Sequence, residues 1–298
     1  MNYEQKRDAL LKKLYNETGI TFEITENTND EVQTIEKLEQ LLHHYPSDDN
    51  RNFFFQQFLL GQLPKEEIVR GLHRFHVEKG TPVVLFLIAF RQPYTKDTIS
   101  ILSSMSSPGA DALIKMDETH IAVIRQLKAV ASEEEIYEMV ASTTDMLGAE
   151  AMISARVAFD HTVEDPELLP QSYQHAYLAL EIGSLFFASE TVLSYHRLGL
   201  EKLIFQLPEA ACREFLSDHF ANFDFKELDN ESRSTIQAFL DNGLSIAETS
   251  RALYVHRNTL IYRIDKFEKQ TGLDIRKFDD AMICKIGLMI ADSMAAFQ

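Results

Sequence analysis

The sequence predicts an α+β domain with a ferredoxin-like sheet, followed by an all-α domain. Three observations carry this. The apolar run Pro82 to Phe90 (PVVLFLIAF) suits a buried strand. Two shorter apolar stretches, ALIKM and HIAVIRQL, flank Asp117-Glu118-Thr119 and read as a hairpin. Beyond residue 208 the apolar spacing is helical throughout. Strands separated by helices in one region, then helices alone, imply two differently built layers of structure.

Taken in order, residues 4–15 read as a short amphipathic helix and residues 31–45 (EVQTIEKLEQLLHHY) as a second. The latter places Val32, Ile35, Leu38 and Leu42 on one face. ITFEI between them suits a short strand, and the polar PSDDNRN at 46–52 marks a boundary. Residues 1–51 are therefore expected to be a short helical and strand segment. The α+β domain is expected over 52–207. It starts with a helix at 52–60, and Pro64 opens another, KEEIVRGLHRFHVEKG, with acids in its first turn and Gly80 at its end. After the strand and hairpin, Ser132 to Leu147 is helical, with Ser132-x-x-Glu135 as a capping box. Ala151 to Phe159 (AMISARVAF) reads as a strand, and a helix runs from Leu169. Phe205-Gln-Leu-Pro208 links to the helical domain, expected over 208–298 with helices at 209–220, 230–241, 245–253, 256–271 and 278–296. In the last of these, Met282, Ile283, Ile286, Met289 and Ile290 are expected to pack as core, with dimer contact as the alternative use.

A chain of 298 residues holds two or three domains, each large enough to bury a core. The longest apolar run is far too short to span a bilayer, and MNYEQKRDALLKKL carries charges where a signal peptide needs an apolar core. Only two cysteines occur, without CxxC spacing, so neither a disulfide framework nor a zinc site is indicated and the cytoplasm is the expected compartment. The formal net charge is -17, but unevenly spread. Of 29 basic and 46 acidic side chains, nine of each lie in residues 231–298, leaving 20 basic against 37 acidic before them. Acidity argues against non-specific nucleic-acid binding through the front and leaves room for a neutral reader at the back.

Ser245-Ile-Ala-Glu248 reads as a capping box that starts a short helix; Tyr254-Val255 then turns into a helix from His256 to Thr271, closed by Gly272. In the second helix Leu260, Ile264 and Phe267 follow core spacing, leaving Arg257, Asn258, Tyr262, Arg263 and Lys266 on the outer side. A recognition helix enters the major groove by its first residues, so His256, Arg257, Asn258 and Thr259 come first to base edges. Arg pairs bidentately with guanine and Asn with adenine. Tyr262, Arg263 and Lys266 would reach bases or flanking phosphates, and the amides at the Ser245 end a phosphate. The same pattern suits an ordinary helical hairpin with a solvated basic face. Tyr254 also occupies the turn position where this motif often has glycine.

The string LYVHRNTLIYRIDKFEKQTGLDIRKFDDAMICKIGLMI resembles the C-terminal helix-turn-helix of the PucR/CdaR family of bacterial transcription regulators. Upstream, FLLGQLPKEEIVRGLHRFHVEKGTPVVLFLIAF looks like the start of that family's central domain, a degenerate relative of GGDEF domains. SYQHAYLALEIGSLFFASETVLSYHRLGLEKLIFQL resembles its end. The resemblance covers residues 52–298, and the first 50 residues are shorter than the sugar-diacid-sensing domain of longer relatives. It implies a DNA-binding regulator, an activator of a catabolic or transport operon, working as a homodimer on double-stranded DNA with an unidentified small-molecule effector and no membrane partner.

Other chemistry finds little support. A diguanylate cyclase hairpin needs two glycines and metal-holding carboxylates; the matching hairpin here is Lys115-Met-Asp-Glu-Thr-His120, so no enzyme activity is expected. His73-x-x-His76 lacks a spaced third ligand, His43-His44 point to different helix faces, and no P-loop, dinucleotide fingerprint or GxSxG elbow occurs. No cofactor, metal or catalytic residue is assigned. Two rival functions remain: a protein-interaction adaptor that has kept the fold without DNA binding, and a nucleotide-metabolising enzyme with a helical tail.

Overall fold

The computed structural model describes residues 3–18, 34–38, 48–106 and 111–296. The strand ITFEI, most of the helix at 31–45 and the pair His43-His44 lie outside these residues. The chain forms two compact units: residues 1–183 with 189–197, and residues 184–188 with 198–298.

The first unit is a mixed sheet with helices. Its elements are α1 (Tyr3–Thr18), α2 (Asp48–Leu59), α3 (Lys65–Arg74), β1 (Val83–Phe90), α4 (Lys96–Met105), β2 (Asp111–Lys115), β3 (His120–Gln126), α5 (Glu133–Ala151), β4 (Ala155–Phe159), α6 (Leu169–Phe186, whose last turn belongs to the second unit) and β5 (Val192–Ser194). The sheet order is β2-β3-β1-β4-β5. β1 is antiparallel to both β3 and β4, and β2 to β3, so β1–α4–β2–β3–α5–β4 is the expected ferredoxin-like arrangement. β5 extends it, parallel to β4, with α6 as the crossover helix. The apolar run PVVLFLIAF is the central strand, and all but one of its residues from Val83 to Phe90 are buried. Phe86, Ile88, Val123, Ile136, Val140 and Phe159 form the heart of the core on one side of it.

Several element ends differ from expectation, each for a backbone reason. α2 starts at Asp48, inside the polar stretch and ahead of the expected residue 52, because polar residues suit a first helical turn as well as a loop. α3 ends at Arg74, short of Gly80. His76 takes a left-handed φ of 58°, its amide bonds the His73 carbonyl, and the Val77 amide reaches Leu72 at 3.0 Å. This is a Schellman ending with Val77 buried against the helix. β4 begins at Ala155, because α5 continues to Ala151 and stops at left-handed Met152. Helix α4, capped by Thr95 and Thr98, and the three-residue β5 were not legible in the pattern. The Ser132–Glu135 capping box forms in full.

The edge strand β2 is closed by α2. The Asn52 side chain accepts the Lys115 amide at 2.6 Å, and Gln56 donates to the Met116 carbonyl at 2.7 Å. Asp111 on β2, its side chain buried, pairs with Arg125 on β3 at 2.8 Å. Paired charge and a covering helix both discourage a further strand from adding there.

The second unit is helical: α7 (Leu200–Phe205), α8 (Glu209–Phe220), α9 (Asn230–Asp241), α10 (Ile246–Ala252), α11 (Arg257–Thr271) and α12 (Phe278–Ala296). Phe220, Phe225, Ile236, Phe239, Leu260, Ile264, Phe267, Cys284 and Leu288 make its main core. Gly287 of α12 lets the Phe220 ring lie against the helix; an added Cβ would stand 2.5 Å from it. On α12, Met289 and Ile290 are buried as expected, whereas Met282 faces out at 36% exposure.

Candidate nucleic-acid interface

The interface is built from two short helices and the turn between them. α10 is capped by Ser245, whose hydroxyl accepts the Glu248 amide at 3.3 Å. Only half of the expected box forms, because the Glu248 carboxylate pairs with Arg251 instead. α10 closes in a second Schellman ending: the Val255 amide bonds the Ser250 carbonyl at 3.0 Å and the Tyr254 amide that of Arg251 at 3.2 Å. Tyr254 takes φ 54° and is 96% exposed. A tyrosine thus adopts the left-handed conformation that glycine takes without cost, at about 1 kcal/mol.

α11 starts at Arg257, and His256 is its cap rather than its first residue: its Nδ1 accepts the Asn258 amide at 3.2 Å. Leu260, Ile264 and Phe267 are buried at 0%, 0% and 2%, which fixes the helix's rotation on the core. Arg257, Asn258 and Thr259 are consequently exposed at its N-terminus, and Tyr262 is 69% exposed one turn on. Arg257 has no ion-pair partner among the described residues.

One predicted cation is placed differently. Arg263 is not on the outer side. Its guanidinium donates to the Thr235 hydroxyl at 3.0 Å and pairs with Glu231, leaving the side chain 17% exposed. The long side chain bends across to α9, where a buried hydroxyl and a carboxylate satisfy it. Lys266 stays half-exposed, 3.6 Å from Asp229. The Ser232 amide and hydroxyl, more than Lys266, hold the Asp229 carboxyl below its ordinary range. At the far end Gly272, at φ 81°, caps α11 through a 2.7 Å bond to Glu268. Tyr254 is an exposed turn residue not assigned to the interface from the sequence; the signal was the non-glycine at the turn.

In the first unit the hairpin at Lys115–His120 is a closed turn. Asp117 accepts the amides of Thr119 at 2.7 Å and His120 at 2.8 Å, and the Thr119 hydroxyl at 3.0 Å. His73 and His76 are exposed and, among the described residues, join no ligand cluster. Among the described residues, metal-competent atoms converge at Asp160, His175 and His196, which the sequence reading did not single out. Among the same residues, no helix is long and apolar enough to cross a membrane.

Comparison with known proteins matches both units. The model of the GGDEF-like domain fits residues 60–182, and that of the PucR C-terminal helix-turn-helix domain fits residues 233–290. The chain is similar to the purine catabolism regulatory protein of Bacillus subtilis (strain 168), 28% identical over 40% of this chain and 23% of that one. It is likewise similar to the carbohydrate diacid regulator of Escherichia coli (strain K12), 28% identical over 45% and 35% of the respective chains. With the DNA-binding transcriptional activator AdeR of B. subtilis it shares 20% identity over 77% of this chain and 57% of AdeR. The match thus spans about a quarter to a third of the first two relatives.

Proposed function

Because the chain belongs to the PucR/CdaR family by its GGDEF-like domain and its PucR-type helix-turn-helix, we propose that it is a sequence-specific, DNA-binding transcription regulator. The observation that carries this reading is the exposed Arg257-Asn258-Thr259 start of α11, held in place by three fully packed residues on its opposite face. Arg257 and Asn258 read base edges; Thr259, Tyr262 and Lys266 contact bases or phosphates; the amides at the Ser245 end of α10 receive a phosphate. His256 acts by fixing the first turn of α11. Arg263 joins the contact only if its bond to Glu231 opens on binding.

The reading head carries no net charge, so one copy binds weakly. A homodimer sets two heads on half-sites about 34 Å apart and raises affinity by linkage. Regulation is activation of a catabolic or transport operon, as the names of the relatives favour, under control of a small effector.

The test is a footprint of the purified protein on its own upstream region across a salt series. A protected two-fold site whose affinity falls with salt is the expected result. Arg257→Ala with Asn258→Ala should remove protection while leaving the fold intact. No protected site, or regulation retained in the double variant, would favour the adaptor reading.

A further inference from the structure

Three histidines and one aspartate meet at the carboxyl ends of the two parallel strands of the first unit. Asp160 directly follows β4 and its carboxylate is 1% exposed; His161 is next to it. His196 lies two residues beyond the end of β5, and His175 comes from α6, the helix that joins the two strands. Loops at the carboxyl ends of parallel strands are where open sheets collect ligand-binding groups.

The contacts are close and mutual. Asp160 Oδ1 is 2.9 Å from His161 Nδ1 and 2.6 Å from His196 Nε2, and those two nitrogens are 2.8 Å apart. His175 Nδ1 stands 2.9 Å from Asp160 Oδ2. The triangle of Oδ1 and two nitrogens poses a proton problem. A neutral imidazole nitrogen either carries one proton or offers one lone pair. If the nitrogen–nitrogen contact is a hydrogen bond, the accepting nitrogen has no proton for the carboxylate, and its lone pair faces an anionic oxygen. If both nitrogens carry protons, two donors crowd each other. No placement of protons on two neutral imidazoles satisfies all three edges, whereas one cation satisfies all three lone pairs.

We propose that Asp160, His161, His175 and His196 bind one divalent transition-metal ion of the zinc class. Three imidazoles and one carboxylate suit zinc, cobalt or nickel, and are too poor in oxygen for calcium or magnesium. Zinc bonds of about 2.0–2.1 Å set tetrahedral ligands about 3.3 Å apart, so Asp160 Oδ1, His161 and His196 need part by only roughly half an ångström. His175, which stands on Oδ2 with its ligand atom within 4.8 Å of those of Asp160 and His196, closes on the ion as the fourth ligand. The site is rooted and reachable at once. Asp160 is buried and the His175 ring stacks on Tyr195 at 3.9 Å and 7°, while His161 and His196 are about half exposed. This goes beyond the sequence reading, which assigned no metal, and stands independently of DNA binding.

The full chain, stripped with chelator, is titrated with Zn²⁺ against a chromogenic indicator and separately with Co²⁺. One equivalent per chain is expected, with the intense visible absorption of tetrahedral Co²⁺ and a zinc-dependent rise in thermal midpoint. His161→Ala and His196→Ala, both at half-exposed positions, should keep the far-ultraviolet spectrum and weaken zinc at least about tenfold each. His73→Ala with His76→Ala should change nothing. Failure to compete with the indicator, or equal binding by a folded His161→Ala/His196→Ala variant, would overturn the proposal.

Discussion

Arg257 and Arg263 are both read from the sequence as outward-facing cations of one helix, yet they are held in opposite ways. Spacing along α11 correctly placed Leu260, Ile264 and Phe267 in the core, because rotation of a helix follows from its apolar stripe. It did not place Arg263, because a long side chain on the border of that stripe can reach either solvent or a neighbouring helix. The Thr235 hydroxyl, itself bonded to the Glu231 carbonyl of α9, decided the matter, and no periodicity encodes it. The two arginines therefore predict separable outcomes. Arg263→Ala should lower unfolding stability by about 1 kcal/mol, since Glu231 is largely solvated and screens its part of the loss. Arg257→Ala should leave the thermal midpoint unchanged and reduce binding to the protected site. Tyr254 offers the converse. Strained backbone persists where surrounding structure holds it, and often where function uses it. Tyr254→Gly should leave thermal stability equal or slightly higher while weakening DNA binding, measured by anisotropy on the protected site; lower stability would mean the ring supports the fold instead.

Among the elements, those with their own chemical start were legible and those defined by partners were not. Ser132 and Glu135 announce α5, Pro64 announces α3, and the apolar run announces β1. β5 is three residues long and exists because β4 offers it an edge, so its sequence alone has too little pattern to find. Helix ends slipped where ordinary residues took the left-handed conformation: His76 rather than Gly80 stops α3. The hairpin of β2 and β3 yields a pH prediction. Burial would raise the Asp117 carboxyl, but the Thr119 amide, the His120 ring and the Thr119 hydroxyl together hold it below 3.8. Its stabilising contribution is therefore complete above pH 3.8 and is lost as pH falls through the lower value of the folded state. Asp117→Asn should flatten that acid limb, read by amide exchange of the hairpin. In α12, Gly287→Ala would gain about 1 kcal/mol on an exposed helix. Against the Phe220 and Phe225 rings it should instead cost about 1–3 kcal/mol, visible as a lower urea midpoint.

At the level of the whole molecule, charge and chain path both divide the protein unequally. The acidic excess belongs to residues before 231, so added salt should weaken specific DNA contact while also screening repulsion between those residues and phosphate. The measured salt slope should accordingly be shallower than the count of phosphate contacts alone would give. The two units were legible as α+β and then helical. Less legible was that they interleave: residues 184–188 belong to the helical unit, and residues 189–197 return to the sheet before the chain leaves it for good. That return carries β5 and His196. A natural recombination that exchanged the reading head at residue 184 would leave the donor with a four-stranded sheet and a broken histidine cluster. One that cut after Arg197 would keep the sheet and the cluster together and leave behind only residues 184–188 of the helical unit, so the seam for inheriting a new reading head is not where the first unit appears to finish.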